Sequence, residues 1–268
     1  MIIDAHIHVG NWSHADFLGR GNDLEGTLAM LKSCGIAGAA LTTSDRHENE
    51  ELCAAMKRAV STHFEGPLWF FPWIRSWTAD GPGEKDLEWV RANRPDVAGL
   101  KIHPSLSRAR ITDEVFRPAL ELARELDLSI LLHCGRWAEI AGYQHAIEAA
   151  ALYPSVRFIL AHAGGDTPPN ASGAAQAVHD RGLQNVWFEF SGLREYWVIE
   201  RNVALIGADR YLMGSDYPLA HPYMYIGAIK GMALTEAQRR QILGENALRV
   251  MGSPMQPERA PGADEVGS

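Results

Sequence analysis

Short apolar or β-branched runs recur along the chain at residues 2–8, 36–42, 68–74, 97–102, 128–133, 156–162, 186–191 and 210–213. Each reads as a strand. Between them lie segments with helical spacing and capping residues. Asp23 precedes Leu24, Leu28 and Leu31; Thr112, Asp113 and Glu114 open the segment 115–126; Thr235 and Gln238 form a capping box ahead of Ile242 and Leu243. The helical pattern is weakest at 171–181 and after Pro218. Strand then helix, eight times over, predicts an α/β fold of the (β/α)8 barrel type, with strands apolar on both sides because helices cover one face and layered side chains fill the other. A doubly wound open sheet is the competing architecture. The first strand, however, leads into Val9-Gly10-Asn11-Trp12, without the GxGxxG phosphate turn that such sheets often carry.

The 268 residues suit one barrel, which needs about 250. From Ser253 onward Pro, Gly, Ala, Glu and Asp dominate, so the chain divides into a single domain, 1–252, and a C-terminal tail, 253–268. A formal net charge of −8 with no basic stripe excludes nucleic acid as the expected partner. No apolar stretch approaches the roughly 20 residues of a membrane helix, so no membrane partner is expected. Cys34, Cys53 and Cys134 are odd in number and lack zinc-knuckle spacing. Free thiols in a reducing cytoplasm are the expectation, and catalytic-looking residues from position 6 leave no room for a cleaved signal.

The chemistry gathers where apolar runs stop. Alternation along the first strand sends His6 and His8 to one face, two residues apart. His133, His162 and Asp216 follow later runs, and Lys101 and His103 share a direction on the fourth. In a barrel, the C-terminal ends of all strands meet at one mouth, which is where such folds place their sites. Neutral imidazoles with a carboxylate suit Zn²⁺, and a metal lowers the pKa of bound water to roughly 7. A lone histidine is more often a hydrogen-bonded core residue. Five titratable groups at strand ends would be costly to bury without a purpose. Arg46, Arg75, Arg136 and Arg194 stand just past strand ends, with Arg136 and Arg194 the better candidates for clamping a carboxylate. Trp12, Trp77, Trp137 and Tyr217 could wall a planar substrate, and exposed aromatics of this kind would suit a homodimer. Alternation turns Cys134 away from the site, as packing and not as a nucleophile. Gly164-Gly165 lacks the following Lys-Ser or Lys-Thr of a phosphate loop, and no Gly-x-Ser-x-Gly elbow occurs.

Several motifs carry a resemblance: Asp4-Ala5-His6-Ile7-His8, Gly99-Leu100-Lys101-Ile102-His103-Pro104, His133-Cys134-Gly135, Leu160-Ala161-His162-Ala163-Gly164-Gly165, Gly214-Ser215-Asp216-Tyr217-Pro218 and Ile242-Leu243-Gly244-Glu245-Asn246-Ala247. Together they resemble the amidohydrolase superfamily, in its amidohydrolase-related branch that includes the aminocarboxymuconate-semialdehyde decarboxylases. The resemblance implies that His6, His8, His133 and Asp216 hold one divalent metal, usually zinc. It implies that His162 orients or deprotonates the metal-bound water, and that Asp216 also moves a proton. In binuclear relatives a strand-four lysine is carbamylated, but the context of Lys101 resembles the mononuclear branch. Lys101, His103, Arg136 and Arg194 are then the candidates for substrate contact.

The expected activity is a metal-dependent hydrolase acting on a lactone, ester or amide of a small carboxylate-bearing compound. The first alternative is a non-oxidative decarboxylase of an aromatic or muconate-like acid, and the second a non-catalytic barrel that only binds.

Overall fold

The computed structural model describes residues 1–62, 64–78 and 81–257. Its strands are β1 (Ile3–Asn11), β2 (Gly21–Asn22), β3 (Gly38–Thr43), β4 (Leu68–Phe70), β5 (Trp73–Ile74), β6 (Gly99–Ile102), β7 (Ser129–Leu132), β8 (Arg157–Leu160), β9 (Val186–Glu189) and β10 (Tyr211–Leu212). The two-residue β2 lies antiparallel on the end of β1. All other pairings are parallel, in the ladders β1-β3-β4 and β5-β6-β7-β8-β9-β10.

Two joints turn these ladders into a ring. Pro72 separates β4 from β5 and has no N–H to give to a ladder. Asn49 takes over: its Oδ1 accepts from the Trp73 N–H at 2.9 Å and its Nδ2 donates to the Trp73 carbonyl at 3.0 Å. On the other side, the amides of Ala98 and Lys101 donate to the carbonyls of Phe70 and Pro72, each at 2.9 Å. β4 and β5 are therefore one interrupted stave. At the second joint the Ala5 N–H donates to the Met213 carbonyl, Asp216 N–H to His6 and His8 N–H to Tyr217, all at 2.8 Å. Eight parallel staves result, which is the (β/α)8 barrel predicted from the repeat.

Asn49 is buried, and its Oδ1 also accepts from Thr43 Oγ1 at 3.1 Å. Truncating it leaves the Trp73 N–H unpaired in a dry setting and its carbonyl with only the longer 3.4 Å contact to His47 Nδ1, at a cost of about 2–3 kcal/mol. Asn49→Ala is expected to lower the urea midpoint accordingly at unchanged m-value; a change below about 1 kcal/mol would show that the joint is held otherwise.

The helix Leu24–Ser33 starts at the Asp23 cap, which accepts from Gly26 N, and Thr235 with Gln238 forms the expected capping box. The two weakest sequence patterns fold as the helices Pro168–Arg181 and Pro222–Gly231. After the capping box the helix Glu236–Arg240 passes through a π turn, Gln241–Glu245, into Asn246–Val250. There the buried Asn246 donates to the carbonyls of Ala208 and Tyr211 at 2.8 and 2.7 Å, securing the base of β10. The larger apolar cluster lies between staves and helices and contains Cys134. A smaller one includes Ala5, Trp69, Phe71, Leu131, Ile159 and Leu212 and forms the inner layer. Cys34, Cys53 and Cys134 are free and buried. Met255, inside the expected tail, is buried and donates from its N–H to Leu68 at 2.7 Å, while residues 258–268 of that tail lie outside the described residues. Among the described residues no helix is long and apolar enough to cross a membrane.

Candidate metal centre and active site

The inner layer is apolar at mid-barrel and polar one step nearer the C-terminal ends of the staves. On β1 the pairing with β3 shifts register between Asp4 and Ile7. The buried Asp4 carboxylate supports that irregularity, since its Oδ1 accepts from the N–H of His6 at 3.1 Å and of Ser215 at 3.0 Å. Burial pushes the Asp4 carboxyl up to about 7. The result places the Nε2 atoms of His6 and His8 3.0 Å apart. Asp216 arrives from beyond β10 with Oδ1 3.4 Å from His6 Nε2 and 3.3 Å from His8 Nε2. Its φ of 58° lies in the left-handed region, a strain of about 1 kcal/mol or more that the hydrogen bond to His6 helps to hold.

Across the cavity, His133 Nδ1 and His162 Nε2 lie 3.0 Å apart. His103 stacks on His133 with ring centroids 3.7 Å apart, and on Trp73 at 5.3 Å. His162 itself has φ 58°, in a buried bulge that continues through Ala163 at 56°. Lys101 rises from the floor, fully buried, with Nζ 2.8 Å from His6 Nε2. The cavity these residues line measures about 180 Å³ and is completed by Trp12, Phe17, Arg136, Asp166 and Gly192.

Burial dominates the titration of this site. It holds the imidazoles of His6, His103 and His133 well below the ordinary histidine range, with neighbouring cations adding to the effect, and lowers His8 less far. It pulls Lys101 down to about 8 against the opposing carboxylates of Asp216 and Glu189. At Asp216 burial acts upward, but His6 and His8 outweigh it and hold the carboxyl well below its usual range. Neutral imidazoles beside an anionic carboxylate are the protonation states that a divalent cation requires of its ligands.

The donor set fits such a cation. His6, His8 and Asp216 offer ligand atoms that all lie within 4.8 Å of one another. His133 stands outside that tight group but lines the same cavity, and its Nε2 is buried with no hydrogen-bond partner. An imidazole nitrogen left without a partner in the same cavity as three clustered donors is chemically suited to serve as a fourth ligand.

The profile of the amidohydrolase family matches residues 3–252. The chain belongs to the amidohydrolase family. This is a family of metal-dependent enzymes, and the likeness to solved structures agrees with membership at the level of fold. No curated protein matches the sequence of this amidohydrolase. Among solved structures it is similar to the 2,6-dihydroxybenzoate decarboxylase from Rhizobium, at a TM-score of 0.72 and 14% identity over 93% of this chain and 98% of that one. A dihydroxybenzoic acid decarboxylase from a Polaromonas species, with manganese and 2-nitroresorcinol bound, gives 0.71 and 16% over 93% and 96%. The probable 2-pyrone-4,6-dicarboxylic acid hydrolase from Acinetobacter baumannii, with citric acid bound, gives 0.67 and 14% over 93% and 98%.

Of the residues singled out in the sequence, this amidohydrolase brings His6, His8, Lys101, His103, His133, Arg136, His162 and Asp216 to one cavity. It does not bring Arg194, whose side chain is 85% exposed and does not line that cavity. Strand alternation ends at Ser191, and the glycine that follows, with φ 77°, starts a turn before Arg194 is reached. Arg75 is engaged by Asp86, and Arg46 is exposed. Trp12 is buried in the wall, whereas Trp137 is 55% exposed. Sequence reasoning missed Trp73, Phe17, Asp166 and above all Glu189, which is fully buried behind His6 and His162. Its signal was present: a lone carboxylate within the apolar run 186–191.

Proposed function

We propose that this amidohydrolase is a hydrolase that opens a lactone, ester or amide bond in a small, planar, carboxylate-bearing compound. The observation that carries the reading is Asp216, anionic and shared between His6 and His8, yet with a side chain still 14% open to the cavity. One divalent cation, most simply Zn²⁺, would be held by His6, His8, His133 and Asp216 and would supply Lewis acidity and an acidified water. The free edge of Asp216 takes up the proton released when water attacks the carbonyl and returns it to the leaving oxygen or nitrogen. His162, opposite, orients the attacking face through its contact with His133. Trp12 and Phe17, with ring centroids 4.2 Å apart, wall the cavity, present apolar ring surface to a planar substrate and exclude water from it, while Trp73 backs His103 from behind. Lys101 and His103 border the same space, so a substrate oxygen placed between them gains donors.

Arg136 is the carboxylate clamp in this reading. Its guanidinium lies 5.8 Å from the Phe17 ring centroid and 3.1 Å from Asp16, at the cavity mouth. Both partners of that pair are about half exposed, which makes it weak and readily exchanged for a substrate carboxylate. Arg136→Gln is expected to raise KM about 10- to 100-fold with little change in kcat, the loss of one charge-assisted pair, while Asp16→Asn lowers KM by removing a competitor. Unchanged KM in Arg136→Gln would place the carboxylate elsewhere.

A second reading, non-oxidative decarboxylation of an aromatic or muconate-like acid, is favoured by the ring-lined walls. It also accords with the decarboxylases among the structural neighbours. One assay panel separates the two. The zinc- or manganese-loaded protein is offered 2-pyrone-4,6-dicarboxylate and simple aryl lactones beside 2,6-dihydroxybenzoate. Ring opening without carbon dioxide supports the hydrolase, and carbon dioxide release from the benzoate replaces it with the decarboxylase.

A further inference from the structure

The carboxylate of Glu189 is fully buried on β9 and receives hydrogen bonds from both halves of the site. Its Oε1 lies 2.8 Å from His6 Nδ1, and accepts from the His162 N–H at 3.2 Å and from Ser191 Oγ at 2.9 Å. Its Oε2 accepts from the Ser191 N–H at 2.9 Å. A carboxylate can only accept, so the His6 nitrogen facing it carries the proton. In a neutral ring the other nitrogen, Nε2, then carries the lone pair, and it is the atom that meets Lys101 Nζ at 2.8 Å as well as His8 and Asp216.

The same reasoning runs along the second branch. His162 Nδ1 faces the Ser191 carbonyl and the Ser191 hydroxyl, both at 3.0 Å. The carbonyl accepts only, and the hydroxyl already spends its hydrogen on Glu189, so Nδ1 of His162 is protonated. With the ring proton on Nδ1, His162 offers Nε2 to the hydrogen of His133 Nδ1. His133 is left with a lone pair at Nε2, the atom with no partner among the described residues. His8 obeys the rule separately, because its Nδ1 donates to the Thr43 carbonyl at 2.7 Å.

The geometry points to Glu189 as the positioning residue that fixes the tautomer of His6 directly and, by seating Ser191 and the backbone of His162, that of His133 through two further hydrogen bonds. The inference rests on the reading of His6 and His133 as metal ligands. The uncoupled imidazole of a histidine prefers its proton on Nε2, which would blunt both ligand nitrogens. One buried anion therefore turns lone pairs toward the cavity from opposite sides. It also bears on the bulge at His162, whose left-handed backbone needs an acceptor for its N–H to persist.

The test reads protons on nitrogen and not turnover. In wild-type protein, long-range ¹H–¹⁵N spectra of the histidines are expected to show His6 and His133 protonated at Nδ1 with zinc bound, and still so after zinc is chelated. In Glu189→Gln, His6 should move to the Nε2-protonated form after chelation, and the zinc dissociation constant, measured by competition with a chelator, should rise about 10- to 100-fold. Ser191→Ala should leave the His6 signals unchanged and perturb only those of His162 and His133. An Nε2-protonated His6 in chelated wild type overturns the assignment even if Glu189→Gln does not fold, as does wild-type zinc affinity in a folded Glu189→Gln. Failure of the wild type to bind zinc at all defeats the metal-centre reading instead.

Discussion

Asp216→Asn is expected to lower kcat by about 10³-fold or more while leaving the barrel folded. Two effects combine. The amide cannot take up a proton, and general acid–base contributions are of the order of 10²- to 10⁴-fold. It also replaces the anion in a donor set whose other candidates, His6, His8 and His133, are neutral, so the cation is bound more weakly. The fold should survive because the bond that closes the ring at this point comes from the Asp216 backbone N–H, which donates to His6, and not from its side chain. Circular dichroism and the thermal midpoint should therefore stay near wild type, while kcat collapses even at saturating zinc. Activity retained within tenfold would remove Asp216 from the proposed proton path.

Stripping the metal is expected to have an effect of similar size on turnover, and a second one on stability. Dialysis of the zinc-loaded protein against a chelator should abolish activity and lower the thermal midpoint. A ligand present at 1,000 times its dissociation constant stabilises the native state by about 4 kcal/mol, and that increment should vanish with it. Readdition of zinc or manganese should restore both, and comparing the two metals identifies the one the site prefers. The arrangement of charges gives a reason for the stability effect. His6 and His8 bring two nitrogens 3.0 Å from each other, both also near the Asp216 carboxylate, and a cation bound there replaces the repulsion between facing lone pairs with coordination. A thermal midpoint and a turnover number indifferent to chelation would contradict a metal centre altogether.

The sequence revealed the staves and most of the site for one reason: strand periodicity decides which face a side chain takes, and the barrel decides where that face points. His6 and His8 could be placed from alternation, Lys101 and His103 from their shared direction, and His133 from its position at the end of an apolar run; alternation also turned Cys134 into the layer beneath the helices, where it lies. Periodicity fails once a stave ends. Arg194 and Arg136 both follow such ends, but the positive φ at Arg136 aims it over Phe17, whereas the turn at Gly192 carries Arg194 into solvent. Nothing in residue type distinguishes those outcomes. Trp73 was hidden for a different reason. Its place behind His103 depends on Asn49, which lies in another element and repairs the interruption at Pro72. Glu189 was overlooked because an apolar run was read as uniform, although its single charge needed partners and found them in two site histidines.

The ring closes where the first stave meets the last, and the donors follow the same seam. His6 and His8 enter with β1, while Asp216 comes only after β10, joined by the hydrogen bond from its N–H to the His6 carbonyl. A growing polypeptide thus carries two of its clustered ligands from the outset yet cannot assemble all three until nearly the whole barrel has emerged and sealed. On the proposed reading of these donors as a metal centre, cation capture is a late event in biogenesis, and a loaded centre certifies a finished fold.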